Sequence, residues 1–271
     1  MSFFSSLSPV MQALLAGLFN WFCTLIGASL VFFVKTIHQK FMDMMMGLAA
    51  GIMTAAAVWP LLVPSLDYSQ SIATNRFYWL PTAVGFIIGG LFIRFIDYLV
   101  PHLHLNHQMS DKEGILNPKS PLSKTMLLYL AVVIHNIPDG LAVGVANAAT
   151  GLSFTWMSVL GLSLGIGIQN IPEGSILSLQ LRAEGRSRKS AFYYGAMSAI
   201  VESIAAVLGA YAVMSMTQLL PYALLFAAGA MIYVAVEELV PGAQEHKNTD
   251  IATGGVMAGF LIMMLLDTTL V

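Results

Sequence analysis

The chain has 271 residues, of which 57% are hydrophobic and only 10% charged, and its formal net charge is −2. Soluble domains carry charges on about a quarter of their residues, so this composition excludes an ordinary soluble protein. No basic patch with interleaved aromatic residues indicates a nucleic-acid partner. The apolar runs are long and continuous, which predicts an all-α protein with several helices crossing a lipid bilayer.

Apolar stretches bounded by charged or turn-forming residues predict eight transmembrane helices, numbered here as spans 1 to 8. Each has at least about 20 residues, which is enough to cross the hydrocarbon core. The predicted ranges are 9–34, 41–64, 78–100, 125–148, 152–181, 190–215, 220–241 and 250–271. Residues 1–271 are therefore expected to form one transmembrane domain.

Basic residues fall almost entirely on one side of this predicted topology. With the amino terminus outside, only Arg76 lies in an outer loop. The inner basic residues are Lys35, Lys40, Arg94, Lys112, Lys119, Lys124, Arg182, Arg186, Arg188, Lys189 and Lys247. The positive-inside rule then places both termini outside the cytoplasm. We expect a multi-pass protein of the plasma membrane, which is the inner membrane in a bacterium.

The loop 101–123 between spans 3 and 4 is the only sizeable polar segment, and it is predicted to be cytoplasmic. It contains His102, His104 and His107. Histidine-rich stretches can bind metal, but an exposed loop also carries a few histidines without any function, and both interpretations stay open.

Acidic residues at the inner ends of two spans also have two interpretations. Asp97 ends span 3, and Glu237 and Glu238 lie near the inner end of span 7. They either mark a cation release route, together with His102 and His104, or are ordinary interfacial charges. Asp267, near the outer end of span 8, is ambiguous in the same way.

A six-residue polar motif occurs twice, 34 positions apart, inside spans 4 and 5. The copies are residues 135–140 (HNIPDG) and 169–174 (QNIPEG). A charged side chain near the bilayer centre costs at least about 2.5 to 3.5 kcal/mol, and it is normally found facing a partner or an ion. The pair of motifs therefore predicts a ligand site within the membrane.

Four side chains of these motifs are candidate ligands. Residues four apart share one helical face, so His135 is expected beside Asp139, and Gln169 beside Glu173. Two facing helices would bring these four donors together. Mixed imidazole, carboxylate and amide donors favour a divalent transition metal, with zinc a good candidate, over calcium or magnesium.

Span 6 contains a further carboxylate, Glu202. An isolated glutamate in an apolar helix can be a neutral, hydrogen-bonded packing residue. Because Asp139 and Glu173 lie in the same membrane, a cation site shared by all three carboxylates is favoured.

A second, weaker repeat relates spans 2 and 7. Residues 49–53 (AAGIM) match residues 227–231 (AAGAM), and each copy is followed by a Val-Pro pair. The two spans run in opposite directions, as do spans 4 and 5. Spans 1 to 3 are therefore predicted to be an inverted repeat of spans 6 to 8, with span 4 matching span 5, as in many secondary transporters. Chance similarity between Ala- and Gly-rich helices is the alternative.

These motifs closely resemble the ZIP (Zrt/Irt-like protein) family of divalent metal transporters, in particular its prokaryotic GufA-like branch. The resemblance covers the whole chain. It rests on HNIPDG in span 4, QNIPEG in span 5, the glutamate of span 6 and AAGAMIYVAVEELVPGAQ in span 7.

The resemblance implies two adjacent metal positions at the membrane midplane. One would use Met53, His135, Asp139 and Glu173. The other would use Asn136, Asp139, Gln169, Asn170, Glu173 and Glu202. It further implies transport of metal into the cytoplasm by sliding of a four-helix bundle, and a homodimer. The metal would be the cargo and not a cofactor.

Two departures from the family pattern bear on metal selectivity. Asp139 stands where the family usually has glutamate, and Gln169 replaces the histidine common in eukaryotic members. The expected cargo is therefore zinc, with iron, manganese, cobalt or cadmium as further candidates.

Two other functions remain as alternatives. An intramembrane zinc metalloenzyme could use the same ligands, although the chain lacks an HExxH arrangement and is not expected to be an enzyme. A proton-coupled carrier of another solute could use the carboxylates as a proton relay.

Overall fold

The computed structural model describes residues 6–34, 38–72, 76–101, 123–152 and 154–270. His102, His104 and His107 lie outside the described residues. Within these ranges the chain forms helices, turns and one isolated bridge between Thr150 and Phe154, and no strand. The predicted all-α class is therefore confirmed for the part that the structure describes.

Eleven α-helices are described, and three short non-α turns join or precede them. The helices are α1 (Pro9–Phe33), α2 (Gln39–Ala57), α3 (Val63–Ile72), α4 (Leu80–Leu99), α5 (Lys124–Ala148), α6 (Trp156–Ala183), α7 (Arg188–Met197), α8 (Ile200–Ser215), α9 (Leu220–Val234), α10 (Val240–Gln244) and α11 (Thr249–Leu270). A 3₁₀ turn, Thr217–Leu219, precedes α9.

Seven helices among the described residues are long and apolar enough to cross a membrane. They are α1, the continuous α2–α3 segment, α4, α5, α7–α8, α9–α10 and α11. Helix α6 has 28 residues but is not one of the seven. It carries Gln169, Asn170 and Glu173, which lower its mean hydropathy.

Side-chain oxygens cap the starts of several helices. The side chain of Ser123 accepts a hydrogen bond from Met126 N at the start of α5, and that of Thr155 accepts one from Ser158 N at the start of α6. Such caps satisfy backbone N–H groups that have no partner within the helix. The caps explain why the observed starts of α5 and α6 agree with the predicted spans to within a few residues.

The second span extends beyond its predicted end at residue 64, because α2 continues through a π-helical turn, Val58–Leu62, into α3. Val63 N donates to Val58 O, five residues back. This wider turn lets the helix continue despite Pro60 and Pro64, which cannot donate backbone hydrogen bonds. A second π-helical turn, Ala235–Leu239, precedes the Val-Pro pair at the start of α10.

Glycines bring four pairs of helices into close contact: α1 with α6, α2 with α11, α4 with α9, and α5 with α8. A Cβ at Gly51 of α2 would overlap Val256 O, and one at Gly229 of α9 would overlap Phe86 O. Small residues of this kind let membrane helices approach backbone to backbone. The pairing turns the polar faces of α5, α6 and α8 into the protein interior.

Candidate metal site

Three carboxylates from three helices lie together in the interior. Asp139 of α5 and Glu202 of α8 are fully buried, and Glu173 of α6 is partly buried. Glu202 interacts electrostatically with both Asp139 and Glu173. Because like charges at this depth are costly without compensation, the cluster favours binding of a cation.

The carboxamide of Gln169 links two of these carboxylates. Its Nε2 donates to Asp139 Oδ2 at 2.8 Å and to Glu173 Oε1 at 3.0 Å. One amide nitrogen therefore holds the carboxylates of α5 and α6 close together. The predicted proximity of Asp139, Gln169 and Glu173 agrees with this geometry.

A second carboxamide, that of Asn170, holds the third carboxylate. Its Nδ2 donates to both oxygens of Glu202 at 2.8 Å, and it lies 3.2 Å from Asn20 O of α1. Asn170 thus links α6 to α8 and to α1. Both motif copies contribute to one polar cluster, which spans four helices.

His135 has a partner that the spacing did not predict. Its Nδ1 contacts Glu238 Oε2 in the second π-helical turn, and both side chains are almost fully buried. Glu238 thus comes next to a candidate ligand. Glu237, one residue earlier, accepts a hydrogen bond from Tyr233 Oη at 2.9 Å and lies 4.0 Å from Arg94 Nη1.

Several oxygens in this region are buried and accept no hydrogen bond within the described part of the chain. They are Asn136 Oδ1, Asp139 Oδ1, Gln169 Oε1 and Asn170 Oδ1. Buried hydrogen-bond acceptors almost always have a partner in folded proteins. Four buried oxygens without one, in the region of the carboxylate cluster, therefore indicate a ligand that binds oxygen atoms. A divalent metal has this property.

Among the described residues, no three His, Cys, Asp or Glu side chains are arranged as a ready-made metal cage. The amide nitrogens of Gln169 and Asn170 donate to oxygens of all three carboxylates in this arrangement. Rotation of either amide about its last bond would turn an oxygen toward the carboxylates in place of the nitrogen. The donor set therefore fits a divalent metal after a local side-chain change.

Two other predicted site residues are also buried. Met53 is fully buried within the main apolar core. Asp97 is buried in the last turn of α4.

Two features of the structure were not predicted from the sequence: the contact of Asn20 with Asn170 and the cavity shared by Asp67 and Asp267. Asn20, a buried polar residue in α1, contacts Asn170 through its backbone oxygen. Asp67 and Asp267 line one cavity of about 410 Å³, which Trp59, Thr155 and Ser158 also line. A polar residue inside an otherwise apolar span was the available signal for Asn20. The shared cavity of Asp67 and Asp267 had no local signal, because the two residues are 200 positions apart in the sequence.

Comparisons with known proteins agree with the motifs. The sequence profile of the ZIP zinc transporter family matches residues 102–267. The chain is 36% identical to zinc transporter ZIP11 of Homo sapiens, with 97% of this chain and 98% of that protein aligned. It is 35% identical to zinc transporter GufA of Myxococcus xanthus, with 95% and 98% aligned. It is 32% identical to zinc transporter ZupT of Chlorobaculum parvum, with 92% of each chain aligned. This chain belongs to the ZIP zinc transporter family.

Proposed function

We propose that this protein transports divalent transition metal ions, zinc first among them, across a membrane into the cytoplasm. The observation that carries the proposal is the cluster of Asp139, Glu173 and Glu202 beside amide oxygens that have no hydrogen-bond donor within the described residues. The names of the relatives support zinc as the cargo. Family membership favours a transporter over the intramembrane metalloenzyme and over a carrier of another solute.

The metal would occupy two adjacent positions. Asp139 and Glu173 would bridge them, since Gln169 already holds these two carboxylates within reach of one atom. His135 and Met53 would complete one position. The second position would be completed by four further residues: Asn136, Gln169, Asn170 and Glu202.

The amides of Gln169 and Asn170 would change from hydrogen-bond donors to metal ligands when the ion binds. In the described state their nitrogens donate to the carboxylates and offset part of the negative charge. An arriving dication would bind the carboxylates, and each amide would rotate to present its oxygen. The same rotation in reverse would help to release the ion, which suits a carrier.

The cavity lined by Asp67 and Asp267 would receive the ion from the outer side. Two carboxylates and several hydroxyl groups attract a hydrated cation. On the inner side, Glu238 contacts His135, so its carboxylate would be the next ligand for an ion that leaves His135. Asp97, Glu237 and the loop histidines His102 and His104 would continue the release route.

We further propose eight spans arranged as an inverted repeat, with α6 as the eighth. The pairing of helices supports this symmetry. When span 1 is exchanged with span 6, 2 with 7, 3 with 8 and 4 with 5, the same set of four close helix pairs is obtained. Glycine contacts support it residue by residue. The close approach of Gly51 to Val256 matches that of Gly229 to Phe86. The approach of Gly255 to Met44 matches that of Gly85 to Tyr222. The approach of Gly259 to Leu48 matches that of Gly89 to Phe226.

Two constant differences in residue number account for all three matches. Residues of α2 correspond to residues of α9 that are 178 positions later, and residues of α4 correspond to residues of α11 that are 170 positions later. Chance similarity between glycine-rich helices would not reproduce the same offsets in each contact. The two π-helical turns, in α2–α3 and α9–α10, occupy matching places as well.

The helix pairs suggest two groups that could slide past one another. The pairs α1 with α6 and α5 with α8 contain the hydrogen-bonded cluster, and the pairs α2 with α11 and α4 with α9 would form the supporting group. The chain would be a single transporter domain and would act in the plasma membrane as a homodimer. Its inner loop, 101–123, would face the cytoplasm.

Uptake of radiolabelled zinc into proteoliposomes tests the proposed function. Glu173→Ala and His135→Ala are expected to abolish saturable uptake, while Asp250→Ala, an exposed acidic residue at the start of α11, is expected to leave it unchanged. Undiminished uptake by both Glu173→Ala and His135→Ala would overturn the proposal.

A further inference from the structure

Asn20 is an unexplained polar residue in the middle of α1. It is fully buried, and neither its Nδ2 nor its Oδ1 has a hydrogen-bond partner within the described part of the chain. Burying a carboxamide without a partner costs about 1 to 3 kcal/mol in protein mutational data. A leucine would fill the same place without this cost, so the amide needs a functional reason.

The face of α1 that carries Asn20 points toward α6 and α8. A Cβ at Gly17 would lie 2.7 Å from Ser203 Cα of α8, and a Cβ at Gly27 would overlap Ile171 O of α6. Residues 17, 20, 24 and 27 share one helical face. Asn20 therefore lies between two close contacts, one with each helix of the metal site.

Contacts at the backbone place Asn20 beside two candidate ligands. Its carbonyl oxygen lies 3.2 Å from Asn170 Nδ2, and that same nitrogen lies 2.8 Å from both carboxylate oxygens of Glu202. Ser203 Oγ, next to Glu202 in the chain, is also buried without a partner among the described residues. Unpaired polar atoms thus lie on the α1 side of Glu202 as well as on the α5 side.

We propose that Asn20 is a metal ligand, and that its oxygen completes the position formed by Asn170 and Glu202. This inference rests on the proposed transport function and adds α1 to the helices that bind the ion. A neutral oxygen raises the coordination number without adding charge to a cluster that already holds three carboxylates. Such a ligand tightens binding less than a fourth carboxylate, and it leaves the ion free to move on.

Two variants separate a ligand from a packing residue. Asn20→Leu keeps the volume and removes the oxygen, while Asn20→Asp keeps an oxygen and adds charge. A matched control is Asn147→Leu in α5, which removes another fully buried asparagine whose Oδ1 accepts no hydrogen bond in the described residues. Asn147 lies near the outer end of α5, beyond the metal cluster.

The measurement is the dissociation constant of purified protein in detergent for Zn²⁺, together with competition of Zn²⁺ binding by Mn²⁺. Asn20→Leu is expected to weaken Zn²⁺ binding by about 10- to 100-fold, the range found when a group supporting a metal site is lost. Asn20→Asp is expected to keep Zn²⁺ binding and to raise competition by Mn²⁺, because carboxylates suit this harder ion. Asn147→Leu should match the unaltered protein in both.

An Asn20→Leu protein with unchanged Zn²⁺ affinity would overturn the inference. If Asn20→Leu does not fold, Asn20→Asp decides, and an unchanged Mn²⁺ competition profile would overturn it. Failure of this inference is distinct from failure of the transport function. In the first case Glu173→Ala still abolishes uptake, whereas in the second it leaves uptake intact.

Discussion

Gln169 Nε2 lies 2.8 Å from Asp139 Oδ2, and the same nitrogen lies 3.0 Å from Glu173 Oε1. A single amide nitrogen therefore lies between two carboxylates from different helices, of which Asp139 is fully buried and Glu173 partly buried. In the proposed mechanism a bound cation takes this place, and the amide of Gln169 turns its oxygen toward the ion.

Replacing Gln169 by histidine should sharpen selectivity for zinc. An imidazole nitrogen suits zinc better than an amide oxygen does, and it cannot donate to both carboxylates in the same way. We expect Gln169→His to reduce the inhibition of labelled zinc uptake by Mn²⁺ several-fold. Measured inhibition equal to that of the unaltered protein would show that residue 169 does not select the metal.

Lengthening the carboxylate of α5 should improve the second metal position. Asp139→Glu adds one methylene, so its oxygens can reach farther across the gap to α6. The expected result is more zinc bound per protein molecule at saturation, measured by elemental analysis after equilibrium dialysis. Asp250→Glu, at an exposed position at the start of α11, is the control and should leave this ratio unchanged. The idea fails if Asp139→Glu does not change the ratio either.

Substitution of Glu238 should slow release more than binding. Its carboxylate contacts His135 Nδ1, on the proposed inner route. Glu238→Gln is expected to lower the maximal rate of zinc uptake by about tenfold or more while changing KM little, a pattern that indicates a step after binding. Glu245→Gln, at an exposed position, serves as the control. A rise in KM at constant maximal rate would instead assign Glu238 to the initial binding step.

Zinc binding should strengthen as pH rises. His135 must be neutral to ligate a metal, and Asp139, Glu173 and Glu202 must be ionised, so protons compete with the ion. The apparent KM for zinc uptake is therefore expected to fall between pH 5 and pH 7. Uptake should be measured with equal pH on both sides of the vesicle, so that no proton gradient contributes. A KM that rises over this range would contradict the ligand set.

Adjacent glycines in α11 give a sharp test of the close helix packing. A Cβ at Gly255 would overlap Met44 O, whereas one at Gly254 meets nothing within 4 Å. Gly255→Ala is expected to destabilise the protein by about 1 to 3 kcal/mol, the usual cost of overpacking. Gly254→Ala should leave the melting temperature in detergent unchanged or slightly raised. Equal melting temperatures for the two variants would show that α2 and α11 do not approach as described.

Labelling tests whether α6 crosses the membrane. The sole native cysteine, Cys23, is buried and can be replaced by alanine. Cysteines introduced at Gly151 and Glu184, beyond the two ends of α6, are expected to react with an impermeant reagent from opposite sides of the bilayer. Reaction from the same side would remove α6 from the set of spans.

Local patterns in the sequence were enough to predict the helices, and they singled out most of the candidate ligands that the proposed function uses. Long apolar runs bounded by charged or turn-forming residues predicted helix positions to within a few residues. The exception is span 2, which continues through the π-helical turn Val58–Leu62 and ends eight residues past its expected end. Proline normally ends a helix, and only the wider turn allows it to continue. The four-residue spacing of Gln169 and Glu173 likewise predicted that both lie on one face of α6, because helical periodicity is a local property.

The sequence by itself determined the class of the protein, its family motifs and the polar residues that lie in its membrane helices. Only the tertiary structure decided their partners: His135 contacts Glu238, Asn170 holds Glu202, and Asn20 of α1 joins the cluster. These contacts join residues that are 32 to 150 positions apart. Periodicity fixes which side of a helix a residue occupies, but contact between helices depends on where glycines allow two backbones to meet.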